Sequence, residues 1–245
     1  MTNSTKTAII TGSSSGMGAA IARRLAADGF AVIVNYAGSK ERADKVVSEI
    51  EANGGNAISV QANVSLAEDM KKLFDEAEAK FGRVDVLVNN AGKAIRKSLA
   101  EFSEKEYDTV MNINLKGVFL GLNQAAKRLQ DNGHIVNISA SFQGTPIPGY
   151  GPYAASKMAI EKLTEVAATE LGERGITVNA VRPGPTDTKL FNKGKDEKAK
   201  EFFANQAALG RLGKPEDIAN VISFLVSEQG SWVTGQAIGA NGGYW

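Results

Sequence analysis

The run Thr7-Ala8-Ile9-Ile10-Thr11-Gly12-Ser13-Ser14-Ser15-Gly16-Met17-Gly18 decides the fold. Four residues without a polar face read as a strand buried on both sides. A glycine- and serine-rich turn follows, and a helical pattern over 16–28 starts inside it. Gly12 makes the tight turn, Gly16 lets the backbone approach a phosphate, and Gly18 lets the helix pack close to the sheet. The first amides and the dipole of that helix then face an anion. Ser14, Ser15 and the Met17 amide belong to the same phosphate-facing loop.

The unit repeats along the chain. Apolar runs at 7–10, 31–35, 57–61, 84–88, 134–138, 177–181 and 237–240 alternate with helical patterns at 16–28, 40–53, 66–81, 104–130, 153–174 and 215–227. Such alternation predicts an α/β fold: a mostly parallel, seven-stranded, doubly wound sheet flanked by helices, with ligand at the carboxyl ends of the strands. No repeat, linker or low-complexity tract appears, so residues 1–245 read as a single domain. The segment 186–210 differs: it is rich in Lys and Glu, carries Phe191, Phe202 and Phe203, and is expected to be a substrate lid.

Composition narrows the chemistry. The 245 residues hold 28 Lys+Arg against 27 Asp+Glu, a net charge of +1, which argues against nucleic-acid binding. There is no Cys and one His, which excludes thiol catalysis, disulfides and Cys- or His-rich metal sites; no metal is expected. His134 opens the fifth strand, away from the expected reaction end, and reads as structural. The start, MTNSTKTAII, lacks a signal-peptide core, and the longest uncharged window, 133–156, is broken by Pro146, Pro148 and Pro152. A cytoplasmic protein with no membrane partner is the expectation.

Further motifs follow in order: Asn89-Asn90-Ala91-Gly92 after the fourth strand, Asn114 within a helical stretch, Tyr153-x3-Lys157 opening another helix, and Pro183-Gly184 with Thr188 after the sixth strand. With Thr11-Gly12-x3-Gly16-x-Gly18, these resemble the short-chain dehydrogenase/reductase family over nearly the whole chain, in particular its 3-oxoacyl reductase and naphthol reductase branch. The resemblance implies a Rossmann fold and hydride transfer between a nicotinamide dinucleotide and a carbonyl/alcohol pair.

Cofactor choice turns on Val34-Asn35-Tyr36-Ala37-Gly38-Ser39-Lys40, which carries no acid to bond a ribose 2′-OH or repel a 2′-phosphate. Asn35, Tyr36 and Ser39 are offered instead, which favours NADP(H). Ser15 stands where NADP-type relatives often carry a basic residue, so NAD(H) remains the alternative. By resemblance, Asn63 and Val64 meet the adenine, Asn90, Ala91 and Gly92 lie near its ribose, and Pro183, Gly184, Thr186 and Thr188 border the nicotinamide.

Tyr153 and Lys157, four residues apart, share a helix face. A nearby ammonium favours the phenolate, so the pair reads as a proton donor and its helper. Lys157 should also hold the nicotinamide ribose. The family places a Ser thirteen residues before the Tyr, where this chain has Ala140; Ser139 and Ser141 flank it. The downstream Pro148–Tyr153 pattern resembles the branch with an interval of fourteen, which favours Ser139 and leaves Ser141 open. Asn114 completes the family's tetrad, bending its helix and linking Lys157 to solvent.

The resulting expectation is an NADP(H)-dependent carbonyl reductase or alcohol dehydrogenase acting on a small molecule. A 3-oxoacyl thioester heads the substrate classes, ahead of quinone-like or polycyclic ketones and sugars. Phe142, Ile147, Tyr150, Leu190 and Phe191 suggest an apolar entrance. A dinucleotide-sensing regulator and an assembly subunit on the same fold are the rival readings. Alanines along 153–171 and the family habit imply a homo-oligomer, usually a tetramer, with Tyr244 and Trp245 as interface anchors.

Overall fold

The computed structural model describes residues 5–141 and 146–244. Phe142 and Trp245, both singled out from sequence, lie outside the described residues. Seven strands form one sheet: β1 (Thr7–Ile10), β2 (Ala31–Tyr36), β3 (Asn56–Gln61), β4 (Val86–Asn89), β5 (His134–Ile138), β6 (Thr177–Pro183) and β7 (Ala237–Ala240). Their order is β3-β2-β1-β4-β5-β6-β7, and every pairing is parallel. Consecutive parallel strands need long crossovers, and the helical segments supply them.

Successive residues of a strand face opposite sides, so each strand feeds two cores. Ala8 and Ile10 of β1 pack with α1 (Gly16–Ala27), α2 (Lys40–Ala52) and α9 (Pro215–Leu225), through Ile21, Leu25, Val46, Ile50 and Ile222. Ile9 joins the opposite layer, built by α3 (Ala67–Phe81), α5 (Gly117–Arg128) and α6 (Gly151–Leu171) around Phe74, Leu122 and Ile160. The central strands read as apolar runs because helices cover both their faces.

One expected helix is not continuous. The pattern over 104–130 resolves into α4 (Glu104–Met111), a π-helical turn at Asn112–Lys116, and α5. Such a turn inserts one extra residue into the helical ladder and re-aims what lies on it. The segment after β6 folds back as α7 (Lys189–Asn192) and α8 (Glu197–Gln206). Its two ends are pinned together: Asp187 N donates to the Gly213 carbonyl at 2.8 Å, and Gly213 N to that of Pro185 at 2.9 Å.

Chain order reverses at β1, which lies between β2 and β4. The crevice outside the carboxyl ends there is where an open α/β sheet binds its ligand.

Candidate active site

A cleft of about 490 Å³ opens at that point and runs from the glycine loop to Tyr153. Gly12 has φ +64°, and a Cβ on it would stand 2.9 Å from Ala91 Cα, so the turn needs glycine. Ser15 caps α1 in extended conformation without a side-chain bond, and the first turn holds no acidic residue. The leading amides of α1 are therefore left to an anionic ligand, and Ser15, Gly16 and Met17 line the cleft beside them. This cradle fits a dinucleotide's pyrophosphate.

The loop is braced from both sides. Thr11 Oγ1 accepts from the amides of Asn90 (2.9 Å) and Ala91 (3.0 Å). Asn90 lines the cleft, and its Nδ2 donates to the Thr11 carbonyl at 2.8 Å, so its side chain also fastens the loop. Asn35 does the same from β2. Its Oδ1 accepts from Gly12 N at 2.9 Å, and its Nδ2 donates to the Ala62 carbonyl at 3.0 Å.

The structure brings only some of the residues expected at this end to the cleft. Asn35 borders the cleft, but its amide is spent inside the protein. Tyr36 is buried in the core with α1 and α2. Ser39 caps α2 by accepting from Arg42 N. Ser14 does not line the cleft, and neither do Tyr36 and Ser39. Asn63, Val64, Ala91 and Gly92 do line it. Asn63 Oδ1 accepts from Ser65, which leaves its NH2 as the end able to donate to a base.

Tyr153 and Lys157 stand on the first turns of α6 and both border the cleft. The Lys157 ammonium lies 5.8 Å from the Tyr153 ring centre and donates to the Ile138 carbonyl at 2.6 Å. Burial pulls the lysine down to about 8. It also pushes the Tyr153 phenol up to about 12, with Tyr150 adding to the rise. Both causes act in the same direction, since desolvation and a second phenol each disfavour the phenolate. Tyr153 is thus held protonated, as a proton donor requires.

Asn114 sits in the π-turn, fully buried and behind the cleft wall. Its Oδ1 accepts from Lys93 N at 2.8 Å, while its Nδ2 donates to the Lys93 carbonyl (3.0 Å) and to Ser156 Oγ (3.1 Å). Gly92 separates it from the lysine: a Cβ there would lie 3.5 Å from Asn114 Oδ1 and 3.6 Å from Lys157 Nζ. Asn114 therefore fixes the backbone beside Lys157.

The two serines part company. Ser139 is buried, and its hydroxyl donates to Glu161 Oε1 at 2.7 Å. Glu161 in turn accepts both arms of Arg182. Ser141 Oγ accepts from Asn241 Nδ2 at 3.1 Å and lies 3.2 Å from the Arg182 carbonyl, a longer and uncharged bond. Both serines line the cleft, but the Ser139 hydroxyl is bonded to a buried carboxylate and is the costlier of the two to redirect. Pro183, Gly184, Thr186 and Thr188 line the adjoining wall, with Thr188 Oγ1 also capping α7. Leu190, Phe191, Lys195 and Phe203 close the cleft from the segment 186–210, and Ile147 and Tyr150 face them across it.

Residues 12–245 match the family model described as enoyl-(acyl carrier protein) reductase. A 3-oxoacyl-[acyl-carrier-protein] reductase of Staphylococcus aureus is 44% identical over 98% of both chains. The chain belongs to the short-chain dehydrogenase/reductase family. A dehydrogenase/reductase of Sinorhizobium meliloti superposes with a TM-score of 0.93 at 41% identity, covering 98% of this chain and 94% of the other. A short-chain dehydrogenase of Burkholderia cenocepacia, solved in complex with NADP, superposes at 0.92 with 38% identity over 98% and 97%. The protein is accordingly an oxidoreductase of the carbonyl/alcohol type.

Sequence reasoning missed several residues of this short-chain dehydrogenase/reductase site. Tyr244, read as an interface anchor, lines the cleft instead. Glu161 and Arg182 had a legible signal: Arg182 lies in a strand of otherwise buried residues and calls for a counter-charge, and Glu161 stands one helical turn past Lys157. His134, as expected, lies at the far end of β5, where its Nδ1 meets Thr177 Oγ1 at 2.9 Å.

Proposed function

We propose that the protein is an NADP(H)-dependent carbonyl reductase whose first substrate class is the 3-oxoacyl thioester. One observation carries the reading: a glycine cradle for a pyrophosphate and the Tyr153/Lys157 pair occupy one continuous cleft. Preference for NADP(H) is supported by the absence of any Asp or Glu among the described residues lining that cleft, and by the neighbour in complex with NADP. The thioester class is supported by the relative's activity and by the apolar approach past Ile147, Tyr150, Leu190 and Phe191.

A nicotinamide dinucleotide held by the glycine loop and Lys157 would supply hydride chemistry to a carbonyl carbon in this cleft. The Tyr153 phenol gives its proton to the carbonyl oxygen, and an alcohol results. Ser141 donates a second hydrogen bond to that oxygen by turning away from the Arg182 carbonyl. Lys157, anchored on Ile138, would hold the ribose hydroxyls and keeps its ammonium beside the phenol. Asn114 keeps the Lys93 backbone and Ser156 in place around them. Residues 186–210 move as a lid on the stem at Asp187 and Gly213.

The chain forms one domain and assembles as a homotetramer in the cytoplasm. Phe119, Met158 and Val166 are 52%, 42% and 48% exposed on adjoining helices, and the groove by Leu115 and Leu163 is apolar, which supports a covered face. Ala167 and Ala168, by contrast, are buried in the chain's own core. No described helix is long and apolar enough to cross a membrane.

The test is consumption of NADPH with a 3-oxoacyl thioester, alongside the matching 2-enoyl thioester and NADH. Turnover of the oxo compound with NADPH supports the reading. Turnover confined to the enoyl compound, or none without a partner protein, defeats it.

A further inference from the structure

Apolar walls at the mouth of the cleft stand beside two cations, Lys195 and Arg96, that form no ion pair among the described residues. Lys195 lies between α7 and α8 and lines the cleft. Its ammonium rests 4.3 Å from the Phe191 ring centre and 5.7 Å from that of Phe203, and it donates to the Phe191 carbonyl. The neighbouring carboxylates are committed elsewhere. Asp187 accepts from Asn192, Asp196 caps α8 through Ala199 N, and Glu197 pairs with Lys200.

Across the mouth, the Arg96 guanidinium stacks 5.7 Å above the Tyr150 ring. That ring lies 6.1 Å from the ring of Tyr153. Arg96 is close enough to Lys195 to press its pKa below the usual lysine range, with burial the larger cause. Two cations that repel across an opening, with no carboxylate among the described residues lining it, are relieved by an anion placed between them. Lys195 rides on the proposed lid, so that anion would also draw the lid shut.

We propose that Lys195 and Arg96 form an anion subsite at the substrate mouth, so that the preferred substrate is an apolar ketone carrying a carboxylate or phosphate, with one aromatic ring, that of Tyr150, between subsite and proton donor. The proposal rests on the carbonyl reductase reading above and specifies its substrate class. A lysine that merely caps α7 through the Phe191 carbonyl is the structural alternative.

The experiment measures kcat/KM for a medium-chain oxo acid, its methyl ester and the matching oxo phosphate monoester. The wild-type protein should favour an anionic member over the ester by roughly ten- to a hundredfold, the scale of hydrogen bonds to charged groups. Lys195→Met and Arg96→Gln should each lose that preference, read as the ratio of kcat/KM on the anionic member to that on the ester. Preference for acid or phosphate identifies the group. Equal wild-type activity on acid and ester, or an equal loss on both in Lys195→Met, overturns the subsite and leaves the reductase reading standing. Calorimetric titration with the non-reducible saturated carboxylate decides the matter without turnover. Tighter binding to wild type than to Lys195→Met supports the subsite even if no ketone is reduced, and equal binding overturns it.

Discussion

Ser139 and Glu161, which stands one helical turn beyond Lys157, are joined by a 2.7 Å hydrogen bond that holds the Ser139 hydroxyl on a buried carboxylate. Ser139 Oγ also lies 3.1 Å from the Lys157 carbonyl, so this hydroxyl ties β5 to α6 beneath the reacting groups. Ser139→Ala should leave Glu161 short of a donor and cost about 1–3 kcal/mol of stability, with kcat reduced less than about tenfold. Ser141→Ala should keep the melting temperature and lose roughly a hundredfold in kcat, the scale of an oxyanion donor. Thermal melts and steady-state kinetics on both variants check this; the reverse pattern restores Ser139 as donor.

Lys157 is a buried ammonium whose pKa falls to about 8 through desolvation. A lysine lowered in the folded state has its unfolded form binding more protons between pH 8 and its ordinary value near 10.5. Stability therefore falls as pH drops through that window, and at neutral pH the charge costs up to about 3 kcal/mol. Lys157→Met should raise the apo melting temperature by several degrees while abolishing turnover. A melting temperature that falls shows that the bond to Ile138 outweighs the desolvation.

His134 is buried and lowered to about 4, chiefly by desolvation, with Lys6 adding and Asp85 opposing. The unfolded chain binds its proton near pH 6.5, so this site's contribution is complete above that value and is lost as pH falls toward 4. The loss reaches about 3 kcal/mol. Denaturant titrations at a series of pH values should show that slope, and His134→Gln should flatten it.

Much of this architecture was legible in the sequence, for identifiable reasons. The strands and the phosphate loop declare themselves because a buried parallel strand has no polar face and the turn after it needs glycine at positive φ, as at Gly12. The break at 112–116 was signalled only by the family's bend at Asn114, since a π-turn leaves the apolar periodicity on either side intact. The hydrogen-bond partners of Asn35 and Ser139 were not legible because Gly12 with Ala62 and Glu161 are distant in sequence. Residue type alone could not tell a side chain facing the cleft from one fastening its wall. Lys195 was one of many charges on the expected lid, and only the fold brings it to the cleft.

The reductive pH profile follows from the same electrostatics. With the Tyr153 phenol pushed up to about 12, the donor stays protonated through the neutral range, and Lys157 at about 8 is the first group to change. The kcat/KM for reduction should be flat below pH 8 and decline above it, since that ratio reports the free enzyme's groups. A decline starting in the acid range would assign the profile to another group.

Tyr153→Phe, measured for NADPH affinity and for ketone turnover in the same preparation, tests the central claim most directly. NADPH binding should stay within about twofold while turnover falls by at least about a hundredfold, the lower scale of acid–base assistance. Turnover within a few-fold of wild type would show that the phenol does not deliver the proton.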